Sequence, residues 1–185
     1  MLGPGWIVKD LNAHPEIPAP EETGDTFQAN AEIKALAASQ LFPGLVLADD
    51  SGLEVDALGG APGVRSARYA GDGATDAANR ERLLAELERV GARGKSRSAR
   101  FRCALVLAEA GRAVGTFEGS VEGIISPVER GEGGFGYDKL FVPEGECASF
   151  GELAPEIKNR MSHRSRALAR IIAYLTETRG LPAHP

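Results

Sequence analysis

No stretch of this chain reaches 18 consecutive apolar residues, and no basic segment followed by an apolar one opens it. Neither a membrane-spanning helix nor a secretory leader is expected, and no membrane partner. Cysteine is scarce as well. Cys103 and Cys147 are the only two, Cys147 with no His or Cys at metal-ligand spacing, so the chain reads as a cytoplasmic protein with reduced thiols. Positive charge is in the minority, with 21 Lys and Arg against 26 Asp and Glu and a net charge of -5. That balance argues against bulk nucleic-acid binding while leaving room for a local basic pocket. Internal repeats and a dividing linker are also missing. A single domain over residues 1–185 is expected, long enough to bury roughly 70% of its unfolded surface without covalent staples.

What is present alternates between helical and strand patterns. The first 24 residues, with Pro4, Pro15, Pro18 and Pro20 and an apolar piece around Trp6 to Val8, read as one strand and a long loop. From Asp25 the sequence "DTFQANAEIKALAASQL" has helical spacing, with Asp25 and Gln28 placed as a capping pair and Pro43-Gly44 as its end. Leu45 to Ala48 reads as a buried strand, and Thr75 to Val90 as an amphipathic helix with Leu83, Leu84, Leu87 and Val90 on one face. "ARFRCALVLAEA" alternates Phe101, Cys103, Leu105 and Leu107 before a turn at Ala110-Gly111, partner strands follow around Gly119 and Gly123, and "KLFV" is a short strand. Ser149 with Glu152 has capping-box spacing, Ser162 can cap a last helix, and Gly180 can end it. The expectation is an α/β fold with a mixed central sheet flanked by helices.

Three segments carry chemistry. Glu21-Glu22-Thr23-Gly24 precedes the first helix, and Asp49-Asp50-Ser51-Gly52 follows a strand, where ligands of α/β sheets usually bind. Carboxylates converging from two loops suit a hard cation such as Mg²⁺, whereas Glu21 and Glu22 alone would read as solvated loop acids. Asp is a poor strand residue, which makes Asp50 harder to dismiss. An aspartyl-nucleophile phosphatase is excluded, since Asp49-Asp50-Ser51 lacks the Asp-x-Asp spacing. Between Ile157 and Thr176 there is no acid, while Lys158, Arg160, His163, Arg164, Arg166 and Arg170 all fall there. Lys158, His163 and Arg164 lie at a break between helical pieces, beside a helix start that can hold an anion; Arg166 and Arg170 fit a solvated helix face. In "GGFGYD", Gly133 to Asp138, glycines allow close approach, Phe135 or Tyr137 offers a stacking face and Asp138 accepts hydrogen bonds, although such a loop taken alone is more often a tight turn.

In this order and at these separations, "EETGDTF", "ADDSGLEVDALGGAPGVRSARYAG", "GGFGYD" and Lys158 with His163-Arg164 resemble the inosine triphosphate pyrophosphatase family over about Trp6 to Leu175. The resemblance implies two lobes around a substrate cleft, Mg²⁺-dependent hydrolysis of ITP, dITP or XTP to the monophosphate and pyrophosphate, and a homodimer. It implies Glu22 and Asp50 as metal ligands, Asp50 also as proton acceptor, Asp49 behind it, and Ser51 against the substrate. Phe135, Gly136, Tyr137 and Asp138 would form the base-side loop, with Lys158, His163 and Arg164 closing over base and phosphates.

One departure stands out. Members of that family begin with a strand ending in an Asn-x-x-Lys phosphate loop, and "MLGPGWIVKDL" matches only beyond it. A misplaced start is the preferred expectation, with weak or absent turnover of the chain as given, and the alternative function is a nucleotide-binding protein without turnover. Bland readings are expected for Cys103 (core), Cys147, His14 and His184 (loops or tails) and Asp56 (strand pair or turn). Lys34, on the first helix, is either within reach of phosphates or a solvated helix lysine.

Overall fold

The computed structural model describes residues 7–11 and 19–180. Trp6, His14 and His184 lie outside them, and Ile7 and Val8, where a strand was expected, are coil and stand 87% and 77% exposed. Among the described residues no helix is long and apolar enough to cross a membrane.

Helix α1 spans Phe27–Ser39. Thr26, rather than Asp25, caps it, its Oγ1 accepting the Ala29 amide at 3.1 Å. Its inner stripe of Phe27, Ala31, Ala35 and Ala38 is mostly alanine, so the helix can lie close against Ala104, Val106 and Ala108 of the sheet.

Strand β1 spans Leu45–Val55, so it does not stop at Ala48 as expected but continues through both acids. Antiparallel pairing with β2, Ser98–Glu109, holds it over its whole length, from Leu45 opposite Glu109 to Val55 opposite Ala99. The apolar run at its start is less buried than its sequence suggests. Val46 is buried but Leu47 is 42% exposed. Strand β3, Arg112–Ile125, follows β2 through Ala110 and Gly111, which both take left-handed backbone angles (φ 49° and 76°), as a two-residue hairpin turn requires. Strand β4 is Phe141–Pro143, and the sheet order is β1-β2-β3-β4. A central sheet flanked by helices is present as expected. The parallel pairing that a mixed sheet implies does not occur among the described residues, where all three pairings are antiparallel.

Helix α2 spans Asp76–Arg89, α3 Pro155–Met161 and α4 His163–Arg179. Ser162 caps α4 and Gly180 ends it, as expected. Glu152 does accept the Ser149 amide, yet no helix starts there; α3 begins later, with Pro155 in its first turn. Helix α4 covers the sheet face opposite α1, packing Ala167, Ile171 and Leu175 on Cys103, Leu105 and Leu107. A side chain at Gly119 would come within 2.1 Å of the His163 carbonyl, so this close approach depends on a residue without Cβ. Beyond it, Leu83 and Leu87 of α2 join Leu53, Val55, Phe101, Phe141 and Phe150 in a second core on the same face. Each of the fully buried Leu and Phe side chains stabilises the fold by about 1.5–3 kcal/mol.

Candidate functional site

Alternation along β1 sends Asp49 and Asp50 to opposite faces of the sheet. Asp50 faces α1. Its Oδ1 accepts from Lys34 Nζ at 2.9 Å, and the same ammonium donates to Glu22 Oε1 at 3.0 Å. Two carboxylates from separate segments thus converge on one cationic atom, with the Arg68 guanidinium 4.0 Å from Glu22 Oε2. The loop carrying Glu22 is tied to the helix where Asn30 Oδ1 accepts the Gly24 amide at 2.7 Å.

The other Asp50 oxygen, Oδ2, is buried and has no hydrogen-bond partner within 3.5 Å among the described residues, although the Asn30 side-chain amide, also unpaired at that distance, still acts on the carboxyl as a donor. Burial pushes the Asp50 carboxyl above its ordinary pKa of 3.8; the Lys34 ammonium pulls the other way and the Glu22 charge pushes up again. Burial alone would lower Lys34, but its bonds to Asp50 and Glu22 carry its pKa above the usual value.

Asp49 faces α4 and is saturated. Arg164 forks onto it, Nε to Oδ2 at 2.9 Å and Nη2 to Oδ1 at 3.1 Å, while the Ser51 hydroxyl and the Cys103 thiol also donate to it, at 3.1 Å and 3.2 Å. Burial would raise its pKa, yet these donors, Arg164 foremost, hold it below the ordinary value. The same surroundings push the Cys103 thiol up to about 12, burial first and the Asp49 charge second, so it is a protonated donor and not a nucleophile. The glycine after Ser51 has a steric cause: a Cβ at Gly52 would lie 2.5 Å from Ser66 Oγ, which binds the Leu53 amide at 2.9 Å.

Phe135, Asp138, Lys158 and His163 gather beside Arg164. Asp138 Oδ2 accepts the Phe135 amide at 2.8 Å and forms a very short contact with Lys158 Nζ. That ammonium also lies 4.6 Å from the centre of the Phe135 ring, which is 64% exposed. Tyr137 is not open to a ligand. Its ring is in the core and its hydroxyl donates to the Ser66 carbonyl at 2.8 Å, which leaves Phe135 as the exposed aromatic face of the loop. His163 stacks on Phe101 with 5.0 Å between ring centroids. Burial, then Arg164, lowers its pKa to about 4, so the imidazole is neutral at pH 7, with a buried Nδ1 that has no partner among the described residues.

The candidate residues therefore form two clusters that meet at the Asp49-Asp50 doublet: Glu22 and Asp50 with Lys34 on one face, and Asp49, Ser51 and Arg164 beside the Phe135–Lys158 group on the other. Lys34 contacts two carboxylates rather than solvent alone, and its spacing signals this. It lies seven residues after Phe27, on the buried stripe of α1, where a lysine needs a buried partner. Arg166 and Arg170 are exposed, Arg166 binding the Ser120 carbonyl at 2.8 Å. A cavity of about 490 Å³ lies elsewhere on the α1 face, between the start of α1 and residues 59–65, and contains neither Glu22 nor Asp50.

A sequence model described as Ham1 family matches residues 1–174. The dITP/XTP pyrophosphatase of Geobacillus kaustophilus is 50% identical over 167 residues, 90% of this chain and 81% of that protein. The dITP/XTP pyrophosphatase of Bacillus licheniformis is 49% identical over 181 residues, 96% of this chain and 90% of its own length. Among solved structures, a HAM1 protein from Coxiella burnetii superimposes with a TM-score of 0.83 at 42% identity, covering 88% of this chain and 83% of that one.

Proposed function

This chain belongs to the Ham1 family, and from that premise we propose that it hydrolyses noncanonical purine nucleoside triphosphates, ITP, dITP and XTP, to the monophosphate and pyrophosphate, removing them from the nucleotide pool. The relatives named for dITP and XTP hydrolysis support the substrate class. The observation that carries the chemistry is at Asp50. One oxygen is held by Lys34 while the other is buried with no partner within 3.5 Å among the described residues, beside a second carboxylate bound to the same ammonium.

That geometry suits a general base. Asp50 Oδ2 takes a proton from a water that attacks the α-phosphorus; the bond from that phosphorus to the α,β-bridging oxygen breaks, and pyrophosphate leaves with the electron pair. Lys34 holds the carboxylate in place and opposes the upward pull of burial on its pKa.

Glu22 and Asp50, which here converge on the Lys34 ammonium, are the carboxylates we assign to Mg²⁺. Among the described residues no group of three His, Cys, Asp or Glu is ready for a metal, and Mg²⁺ commonly takes one or two protein carboxylates with phosphates and waters completing its shell. Glu22 and Asp50 would hold it, and its charge would offset that of the triphosphate.

On the other face, Phe135 offers its open side to the purine, Lys158 lies beneath the ring, and Asp49 aims Arg164 by taking two of its donors, leaving the remaining ones for ligand. Ser51, on Asp49, stands next to the base catalyst. A 6-oxo group accepts from such donors whereas the 6-amino group of adenine does not, and each buried group left unpaired costs about 1–3 kcal/mol. A homodimer is part of the proposal and is checked by sedimentation.

The test is pyrophosphate release from ITP, XTP, dITP, GTP and ATP with and without Mg²⁺. Release from the first three, dependent on Mg²⁺, is expected. Tight binding of ITP with no release would overturn the reading in favour of a nucleotide-binding protein without turnover.

A further inference from the structure

We infer that Asp76 and Arg80, on the first turns of α2, are positioning residues for base recognition: they grip Gly136 by both its N–H and its C=O and so aim the Phe135 ring. This inference rests on the reading of the Phe135 loop as the purine side of the site.

The Gly136 amide donates to Asp76 Oδ2 at 2.6 Å, and the Gly136 carbonyl accepts from Arg80 Nη1 at 2.8 Å. Gly136 takes a left-handed backbone angle, φ 57°, at which no side chain crowds it and none of its own holds it. Its direction is therefore set by the hydrogen bonds made to its peptide groups. Phe135, one residue earlier, is mostly exposed with the Lys158 ammonium against one side of its ring, so its direction depends chiefly on the backbone that carries it. The third anchor of the loop is Asp138, whose carboxylate accepts the Phe135 amide and whose own amide donates to the Phe135 carbonyl at 3.1 Å, closing the turn from within. With these four bonds the peptide groups on both sides of Gly136 are fixed, those of Asp76 and Arg80 from outside the turn, and the Phe135 side chain leaves the backbone in one direction.

Arg80 is built for this work. It is a charged residue only 8% exposed, and its Nε is held by Glu129 Oε1 at 2.8 Å, so the guanidinium plane is set before it reaches the loop. Buried ion pairs are weak contributors to stability, whereas a planar fork joining an acid to a backbone carbonyl fixes geometry. Asp76 sits in the first turn of α2, and its Oδ2 accepts the Gly136 amide from there, a carboxylate–amide bond of the stronger kind. Helix α2 supplies none of the groups around Asp50, so the grip acts on the base side and not on the proton acceptor.

The experiment compares Asp76→Ala, Asp76→Asn and Arg80→Met with the wild type, using IMP and inorganic pyrophosphate as inhibitors of ITP hydrolysis. For Asp76→Ala and Arg80→Met, KM for ITP and the inhibition constant of IMP should rise roughly tenfold, the worth of one or two hydrogen bonds, with kcat and the pyrophosphate constant within about twofold. Asp76→Asn retains an oxygen for the Gly136 amide and should restore most of the loss. Unchanged IMP inhibition in folded variants, or an equal change for pyrophosphate, overturns the inference. If Arg80→Met does not fold, Asp76→Ala, at an exposed position, decides alone. If the wild type releases no pyrophosphate, it is the functional reading that fails. Hydrogen exchange of residues 133–138 then tests the grip by itself, and no acceleration in Asp76→Ala would refute it.

Discussion

Asp49, under α4, meets a bidentate arginine, a hydroxyl and a thiol, and its carboxylate is held below its ordinary pKa. Asp50, one residue on and under α1, meets one lysine shared with Glu22, keeps a buried oxygen with no partner within 3.5 Å among the described residues, and titrates above its ordinary value. Strand alternation separates the two, and the composition of each face does the rest. The α1 face is lined by alanine and valine with Lys34 as the cation reaching Asp50, whereas the α4 side brings the basic start of a helix to the sheet edge. Neighbouring identical residues therefore have opposite relations to stability. A carboxyl whose folded pKa is lowered supports folding above its unfolded pKa, near 3.8, and loses that support as pH falls through the folded value. A carboxyl whose folded pKa is raised supports folding only below about 3.8 and opposes it once pH rises through the folded value.

The largest expected effect is at the residue that stability does not need. Asp50→Asn should lower kcat for ITP by about 10³-fold or more, the scale of losing a positioned base together with a metal ligand, while Tm at pH 7 stays level or rises. Loss of activity accompanied by a clear fall in Tm would show that Asp50 is structural, and the contrast between the faces would collapse. Lys34→Met comes next. Removing the ammonium takes away what lowers the Asp50 pKa, so the acid limb of kcat/KM should move to higher pH, with roughly 10- to 100-fold less activity at pH 7. An unmoved acid limb would mean that the limb reports another group.

Asp49→Asn should break the comparison from the other side. It removes an acceptor from Arg164, Ser51 and Cys103, and a cost of about 1–2 kcal/mol is expected, discounted because Arg164 is partly solvated. Activity should fall about tenfold as Arg164 loses its aim. The stability difference from the wild type should be present at pH 7 and shrink as pH falls through the Asp49 pKa. Urea unfolding at several pH values measures it, and a difference that grows with acid would contradict the sign.

Sequence showed the doublet but not its division. "LVLADDSG" reads as a strand ending in a polar loop because Asp is a poor strand residue; the strand continues because β2 supplies a full-length partner, a tertiary fact that a local pattern does not contain. Alternation in β2 marked Phe101, Cys103, Leu105 and Leu107 as one buried face. The other face, Ala104, Val106 and Ala108, is buried too, by a helix whose alanines carry little signal of their own. The helix from Thr75 is legible in its apolar stripe and the one from Ser162 in the side chain that caps it. Tyr137 looked equivalent to Phe135 in "GGFGYD", and only the position of the Ser66 carbonyl shows which ring turns inward. Asp76 and Arg80 looked like ordinary polar positions of an amphipathic helix, since their partner lies 60 and 56 residues away.

The smallest effect tests whether coverage by a helix, and not charge as such, makes Asp50 costly. Arg100 lies on the same sheet face as Asp50 but in its charged stretch, bonded to Asp56 at 2.9 Å and Glu122 at 3.0 Å, with Glu54 at 3.7 Å. Water reaches these groups and screens them, so Arg100→Ala should cost only about 0.5–1 kcal/mol at low salt. Arg102 remains 3.6 Å from Glu54, Ser98 still donates to Asp56, and Glu122 is half exposed, so the acids left behind are not stranded. The difference should fade in 0.5 M salt, where the screening length is roughly 4 Å, and turnover of ITP should be unchanged. A larger cost that persists in high salt would mean that charge on this face is structural along its whole length, and the special position of Asp50 would need another cause.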